Sequence, residues 1–142
     1  MSLRDIALVA AGGAVGSVLR YLATIAASGL FGVGFPYGTF LVNVTGSFAM
    51  GVLIEVIARR FEASEALRLL IATGVLGGYT TFSSFSLDTA ALWERGQQML
   101  AVVYVAASLG LGVAALFCGL WLARSLASVS YTHLTLPTIY SV

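Results

Sequence analysis

Charge is the scarcest property of this chain. Only 9% of its 142 residues are charged, against about a quarter in an average soluble domain. All seven basic residues are arginines, since the sequence holds no lysine, and six acidic residues nearly balance them. So little charge cannot solvate a globular surface. The balance also excludes the basic patches that nucleic-acid binding needs and the charge excess of a disordered chain.

The residue types that build catalytic and cross-linked sites are also scarce. The chain has one cysteine, Cys118, and one histidine, His133. A single cysteine excludes an internal disulfide framework, and no histidine lies where it could activate a serine. The sequence has neither a cluster of metal-ligating residues nor a phosphate-binding glycine motif. We therefore expect a protein that is not an enzyme.

Apolar residues, by contrast, make up 59% of the chain, and the mean hydropathy is +0.98. A membrane-spanning helix needs about 20 apolar residues, so this length allows four crossings with short loops. The apolar runs place the spans at about residues 6–28, 39–58, 66–92 and 99–123. The sequence thus predicts an all-α integral membrane protein, with one four-helix unit over residues 1–127.

The segments between the predicted spans differ in character. A glycine-rich connector covers residues 29–38, a charged aqueous loop covers 59–65, and a short polar loop covers 94–98. Ser64 is placed to cap the helix that follows the charged loop. Residues 128–142 are polar and rich in β-forming residues. We expect this tail to be non-native or disordered and assign it no function.

The third predicted span is not a regular helix. It contains G-G-Y-T-T-F-S-S-F-S from Gly77 to Ser86, in which two adjacent glycines precede five hydroxyl residues. Such a composition is unfavourable inside a helix. We expect a helix, an unwound segment and a second short helix. Non-helical backbone at membrane depth is tolerated only against protein or a water-filled cavity.

Several polar and aromatic residues in the spans have two interpretations each. Asn43 either hydrogen-bonds between helices or offers an amide donor to a polar pathway. Phe82 and Phe85, three residues apart, either pack or present the positive edges of their rings to an anion. Tyr104 and Ser108, four residues apart, either pack or form the polar half of a helix face.

Three charged residues lie within or beside apolar runs, where a charge is a candidate functional group. Arg20 follows Asp5 by 15 residues, roughly 23 Å of helix. Its side chain either reaches the far interface or attracts anions in a vestibule. Asp88 is expected near a membrane boundary. Glu55 lies close to Arg59 and is expected to be paired rather than catalytic.

Three segments of the chain resemble the Fluc, or CrcB, family of small bacterial fluoride channels. They are G-G-A-V-G-S-V-L-R-Y (residues 12–21), G-T-F-L-V-N-V-T-G-S-F (residues 38–48) and the glycine and hydroxyl motif at residues 77–86. They cover the first three spans in the family's order and spacing, and the third motif is highly specific. The fourth span matches only through Tyr104 and Ser108.

The resemblance implies a four-helix subunit whose third helix is broken mid-span. Two copies would pair antiparallel into a double-barrelled dimer with two fluoride pathways, in the bacterial inner membrane. By motif position, Asn43 would line a pathway, and Phe82 and Phe85 would form its aromatic box. Hydroxyl residues would give the pathway a polar track: Thr81, Ser83, Ser84, Tyr104 and Ser108.

The resemblance also implies a structural sodium ion, held at the dimer centre by the backbone carbonyls of Gly77 and Thr80. Arg20 matches the family's first-helix arginine, which lies near an aqueous vestibule. Gly112 departs from the family pattern, because it has no side chain where a polar residue could extend the track.

The expected function is passive export of fluoride, which lowers its cytoplasmic concentration. A negative-inside potential favours anion exit by about 2.3 kcal/mol per 100 mV, so no energy source is required. One alternative is a small proton-coupled exporter of lipophilic cations. That exporter would need a carboxylate deep in an early helix, where the first span has only Arg20. A structural membrane subunit without transport is the other alternative.

The arginines also predict orientation. With four spans, five arginines (Arg4, Arg59, Arg60, Arg68 and Arg124) face one side and Arg95 faces the other. The arginine-rich side of short loops is usually cytoplasmic, so both termini are expected inside. An antiparallel homodimer needs the same chain inserted both ways. A heterodimer with a similar subunit of opposite orientation therefore remains an alternative.

Overall fold

All regular structure in the described part of the chain is helical. The structure, a computed structural model, describes residues 1–59 and 64–139, and side chains as far as residue 129. Three long helices are α1 (Leu3–Phe31), α2 (Tyr37–Arg59) and α6 (Gln98–Ile139). Four shorter pieces lie between α2 and α6: α3 (Glu65–Leu67), a π-helix (Arg68–Leu76), α4 (Gly77–Tyr79) and α5 (Phe82–Glu94). We call residues 65–94 the broken helix.

Three helices are long and apolar enough to cross a membrane, namely Leu3–Phe31, Tyr37–Arg59 and Gln98–Val129. They contain the spans predicted at residues 6–28, 39–58 and 99–123, and they make the chain a multi-pass membrane protein. The expected count of four spans is not confirmed. The span predicted at 66–92 falls on the broken helix, whose longest piece has 13 residues.

Local sequence signals explain several helix boundaries. Ser2 and Asp5 form a reciprocal capping box at the start of α1, with side-chain to backbone distances of 2.8 and 3.2 Å. Helix α1 ends at Gly32, whose φ of 83° favours glycine. Ser64 caps α3, as predicted, by accepting the Leu67 N–H at 3.2 Å. Residues 60–63 of the predicted charged loop lie outside the described residues.

The backbone of α6 continues as helix into the tail, as far as Ile139, although residues 128–139 are rich in β-forming residues. Extending an existing helix adds a hydrogen bond for each residue without a new nucleation cost, and this outweighs weak local strand preference. Residues 140–142 lie outside the described residues. That the tail is not part of the functional unit stays a prediction.

Helix α1 packs against the π-helix and α4 with its backbone in direct contact. A Cβ added at Gly12 would overlap the Leu70 carbonyl oxygen, and one added at Gly16 would overlap that of Val75. A Cβ on Gly74 would lie 2.8 Å from the Gly12 Cα. Small residues let membrane helices approach this closely, so these glycines set the distance between the two elements.

Helix α2 packs against α6 in the same manner. A Cβ on Gly51 would overlap the Leu116 carbonyl oxygen, and one on Gly119 would overlap that of Phe48. The two helix pairs meet at Gly46, where an added Cβ would overlap the Thr80 side chain. The glycine contacts therefore bring α2 against the centre of the broken helix.

Candidate functional site

The broken helix is interrupted at two residues, Thr80 and Thr81. Thr80 has ψ 158° and Thr81 has φ −153° and ψ 119°, so both are extended. The prediction of an unwound segment over residues 77–86 is wrong in extent, because residues 77–79 and 82–86 are helical. Gly78 serves close packing, since a Cβ there would lie 2.6 Å from the Gly13 carbonyl oxygen.

The side chain of Asn43 replaces the helical partners lost at this break. Its Oδ1 accepts the Thr81 N–H at 2.8 Å, and its Nδ2 donates to the Thr81 carbonyl at 3.0 Å. The side-chain amide of Asn43 thus bonds both backbone groups of Thr81, as a residue of a neighbouring β-strand would. Unpaired backbone groups are costly in a membrane, so this contact stabilises the break. The predicted interhelical role of Asn43 is confirmed, and its role in a pathway stays a prediction.

A second side chain reaches the break from α1. The Nη1 of Arg20 donates to the Thr80 carbonyl at 3.3 Å. The hydroxyl of Thr80 donates to the Leu76 carbonyl at 3.1 Å. The guanidinium of Arg20 is therefore directed at the break, rather than along α1 to a membrane interface. Its vestibule role stays a prediction.

Three hydroxyl groups predicted to share a polar track meet at the start of α5. The Thr81 hydroxyl caps this helix by accepting the Ser84 N–H at 3.2 Å. The same oxygen lies 3.2 Å from the Ser84 hydroxyl and 3.4 Å from that of Ser83. The structure thus brings the three predicted residues together, and the capping requirement explains why Thr81 lies at the centre.

The two phenylalanines of the motif share one face of α5, as their spacing predicts. Their ring centroids are 5.7 Å apart, and the Phe85 ring lies 5.2 Å from that of Tyr104. Phe82 is 80% exposed, whereas Tyr104 is fully buried. The aromatic residues therefore form a continuous row from the surface of the chain to its core.

The buried end of this row carries a hydrogen bond that sequence reasoning missed. The hydroxyl of Tyr104 donates to Asp88 Oδ2 at 3.1 Å. Gly96 has φ 79° in the turn between α5 and α6, and both residues lie eight positions from it. Residues at equal distances from a turn lie opposite each other in two antiparallel helices, so the position of the turn would have predicted this contact. Phe35 was also missed; its ring meets that of Tyr104 edge-on at 5.4 Å and 89°.

Ser108 lies one turn beyond Tyr104 in α6. Its hydroxyl oxygen is buried and has no hydrogen-bond partner within the described part of the chain. Beyond it, a Cβ on Gly112 would lie 3.9 Å from the Ser47 hydroxyl oxygen. Helix α2 thus supplies a polar atom beside the position where Gly112 has no side chain.

Two cavities adjoin these residues. One groove of about 280 Å³ opens at the break, and Asn43, Thr80, Thr81 and Phe82 are among its lining residues. A second cavity of about 220 Å³ lies between the α1–α2 connector and the end of α5, with Asp88 in its lining. Three of the predicted pathway residues, Asn43, Thr81 and Phe82, thus line the first cavity, and Asp88, which accepts the Tyr104 hydroxyl, lines the second.

This arrangement can be compared with known proteins. The family model described as "CrcB-like protein, Camphor Resistance (CrcB)" matches residues 7–120. The chain belongs to the CrcB family. The match includes the break, both phenylalanines, Tyr104 and Ser108, and it confirms the resemblance drawn from the three sequence segments.

Several relatives of this chain carry the name "Fluoride-specific ion channel FluC". One from Chelativorans sp. (strain BNC1) is 57% identical over 119 residues, which cover 84% of this chain and 95% of the relative. One from Agrobacterium fabrum is 55% identical over 122 residues, 86% of this chain and 98% of the relative. One from Rhizobium meliloti (strain 1021) is 52% identical over 124 residues, which cover 87% of this chain and 99% of the relative. An ion channel is not an enzyme, so these names bear out that expectation.

Proposed function

We propose that this chain is a subunit of a fluoride-selective channel that passively exports fluoride across the bacterial inner membrane. The observation that carries the proposal is the break at Thr80 and Thr81, where hydroxyl groups and a phenylalanine pair surround non-helical backbone held by Asn43. This site lies in a chain whose relatives are named fluoride-specific channels.

The chemistry of the site suits a small, strongly hydrated anion. A conducting site must replace the ion's water with donors already in place, without binding it too tightly. The hydroxyls of Ser83 and Ser84 are such uncharged donors, held beside the Thr81 hydroxyl, which itself donates to Ser84 at 3.2 Å. Ser108 has a hydroxyl with no partner within the described residues. A side-chain amide has two N–H donors, so Asn43 can hold the Thr81 carbonyl and still offer one to fluoride.

The pathway groups of one subunit lie along an open surface, which favours an assembly. Phe82 is 80% exposed and lines the open groove beside the break. A hydrated anion in such a groove would face lipid. We infer that a second subunit closes the pathway, in an antiparallel homodimer or in a heterodimer with a similar chain of opposite orientation. Two subunits would give two pathways and, with the broken helix crossing, four spans each.

The break also fits the expected structural sodium ion. In a continuous helix, the N–H groups of Thr81 and Ser84 would bond the carbonyls of Gly77 and Thr80. Here they donate to Asn43 and to the Thr81 hydroxyl instead. Hard cations prefer oxygen ligands, so the Gly77 and Thr80 carbonyls would hold the ion together with those of a second subunit. The Thr80 carbonyl accepts from the Arg20 guanidinium at 3.3 Å, so sodium would bind there only once Arg20 has turned away. Sodium bound there would join the subunits and need not move with fluoride.

The carboxylates of the spans give little support to a proton-coupled exporter. Glu55 is paired with Arg59 and Arg124. Asp88 accepts the Tyr104 hydroxyl. A transporter that binds lipophilic cations needs an accessible carboxylate that can exchange its proton for the substrate.

Fluoride efflux from proteoliposomes tests the proposal. Vesicles loaded with potassium fluoride should release it rapidly when valinomycin allows potassium to follow, and slowly without valinomycin. A fluoride electrode measures the release, and vesicles loaded with potassium chloride serve as the selectivity control. No fluoride release together with proton-driven uptake of a lipophilic cation would establish the exporter. Neither activity would indicate a structural subunit.

A further inference from the structure

A buried carboxylate joins α2 to α6 far from the break. Glu55 is only 8% exposed. Its Oε1 accepts from Arg59 Nε at 2.7 Å, and its Oε2 accepts from Arg124 Nε at 3.0 Å. The predicted pairing of Glu55 is confirmed, although sequence reasoning did not identify Arg124 as a partner. Both arginines thus lie side by side where α2 ends.

These three side chains leave positive charge at the surface. Two guanidinium groups share one carboxylate, so the cluster carries one net positive charge. The arginine side chains are 45% and 57% exposed. A guanidinium has five N–H donors, and each arginine directs its Nε to Glu55. The terminal nitrogens are therefore suited to a second anion, and their planar geometry matches the oxygens of a phosphate.

An apolar groove of about 270 Å³ begins at this cluster. Apart from Arg59, its lining is apolar: Val52, Val56, Leu122, Ala123, Leu126 and Ala127. Val52, Val56 and Arg59 follow helical spacing along one face of α2, over about 10 Å. The groove therefore leads from a positively charged end into the part of α2 and α6 that is apolar enough to cross a membrane.

We propose that Arg59, Arg124 and this groove bind one anionic phospholipid. The two guanidinium groups would hold the phosphate, and the groove would hold part of an acyl chain. The argument rests on charge complementarity: basic pockets between membrane helices recognise anionic headgroups. A zwitterionic headgroup has a cationic group of its own beside the phosphate, so it should bind the two arginines more weakly. The proposal concerns a site separate from the fluoride pathway and does not depend on which ion is conducted.

Native mass spectrometry of the full chain in detergent micelles tests this site. The micelles contain equal amounts of phosphatidylglycerol and phosphatidylcholine with identical acyl chains. We expect one retained phosphatidylglycerol per subunit and little phosphatidylcholine. A large excess of inorganic phosphate should not displace the lipid, because phosphate cannot fill the groove. Equal retention of the two lipids, or no retention because a second copy covers the groove, would overturn the proposal.

The decisive variant replaces Glu55, Arg59 and Arg124 together by Gln, so that no buried charge is left unpaired. Losing one net charge should lower the preference for phosphatidylglycerol about fivefold. Arg68→Gln is the matched control, since Arg68 is an exposed arginine outside the groove lining, and it should leave the preference unchanged. An unchanged preference in the triple variant contradicts the proposal.

Ala127→Phe tests the groove with all charges intact. It should weaken retention of phosphatidylglycerol while leaving the Glu55 ion pairs in place. If the triple variant loses its helical circular dichroism, this variant decides alone. Full retention in Ala127→Phe, with displacement by inorganic phosphate, would show that the arginines bind free phosphate rather than a lipid.

Discussion

At the scale of single residues, the break depends most on Asn43. One side chain pairs with both the N–H and the carbonyl of Thr81, so it provides partners for two backbone groups that have lost their helical hydrogen bonds. Arg20 assists at the adjacent Thr80 carbonyl from another helix. Residues distant in sequence, rather than the motif alone, therefore keep the two threonines extended.

We expect Asn43→Ala to destabilise the protein by about 1–3 kcal/mol, because a buried backbone donor and acceptor lose their partner. Thermal unfolding in detergent, followed by circular dichroism, measures the loss. Ser47→Ala is the control, since Ser47 is one turn further along α2 and lines the same groove. Equal melting temperatures for the two variants would contradict the assigned role of Asn43.

We expect Phe82→Ile or Phe85→Ile to slow fluoride efflux about fivefold, since an aromatic edge contributes roughly 1 kcal/mol that an aliphatic side chain does not. Efflux from proteoliposomes measures the effect, and cross-linking checks whether the variants still form the proposed dimer. Phe117→Ile provides the comparison, because Phe117 is an exposed phenylalanine on α6, outside the aromatic row. Unchanged flux in both motif variants would exclude an aromatic pathway.

At the scale of helices, backbone contact between α1 and the broken helix positions the site. Gly16 lies against Val75 and Tyr79, so the piece that ends at the break is held directly on α1. This contact also places Arg20, one turn further along α1, within reach of Thr80. The close contact at Gly16 therefore determines both the distance between α1 and the broken helix and the position of Arg20.

Gly16→Ala should destabilise the protein by about 1–3 kcal/mol, because the new Cβ would lie 2.8 Å from the Tyr79 nitrogen and overlap the Val75 carbonyl. Gly13→Ala makes the same change one turn earlier, where an added Cβ meets no described atom within 4 Å. It should be neutral or stabilising, since alanine favours helix. Chemical denaturation in detergent compares the two, and equal losses of stability would refute the packing argument.

The sequence predicted the elements better than their interruption. Apolar runs located α1, α2 and α6, because hydropathy directly reflects the lipid environment. Gly77 and Gly78 suggested unwinding, but both are helical, and Gly78 provides close contact with α1. Helix propensity cannot distinguish a glycine that bends a chain from one that admits a neighbour. The pairing of Tyr104 with Asp88 depends on a turn whose position propensity does not determine.

At the scale of the whole molecule, insertion and assembly are linked. The proposed pathway along an open face would require a second chain. An antiparallel pair of identical chains requires insertion both ways, but with four spans the arginines would favour one orientation, five against one. Acidic residues contribute little to this bias, so Glu65 does not cancel the loop arginines. The same charge distribution thus bears on both topology and assembly.

Cysteine labelling distinguishes the two assemblies. Single cysteines at Ser64 and Gln97, both exposed, are introduced into a Cys118→Ala background and labelled with a membrane-impermeant reagent. From the arginine bias we expect labelling of each site mainly from one side. One-sided labelling, with no flux from the chain alone, indicates a heterodimer. Equal labelling from both sides indicates dual insertion and a homodimer, and it contradicts the expected bias.

The π-helix at Arg68–Leu76 makes the number of residues before the break part of the site. Each residue added to or removed from a helix turns everything beyond it by about 100°. A π-helix has more residues per turn than an α-helix, so converting this segment to α-helix without changing its number of residues would rotate Thr80 and Thr81 as a unit. The break would then face away from Asn43 and Arg20, although every side chain of the site would still be present. Angular register, and not composition alone, makes these residues a site.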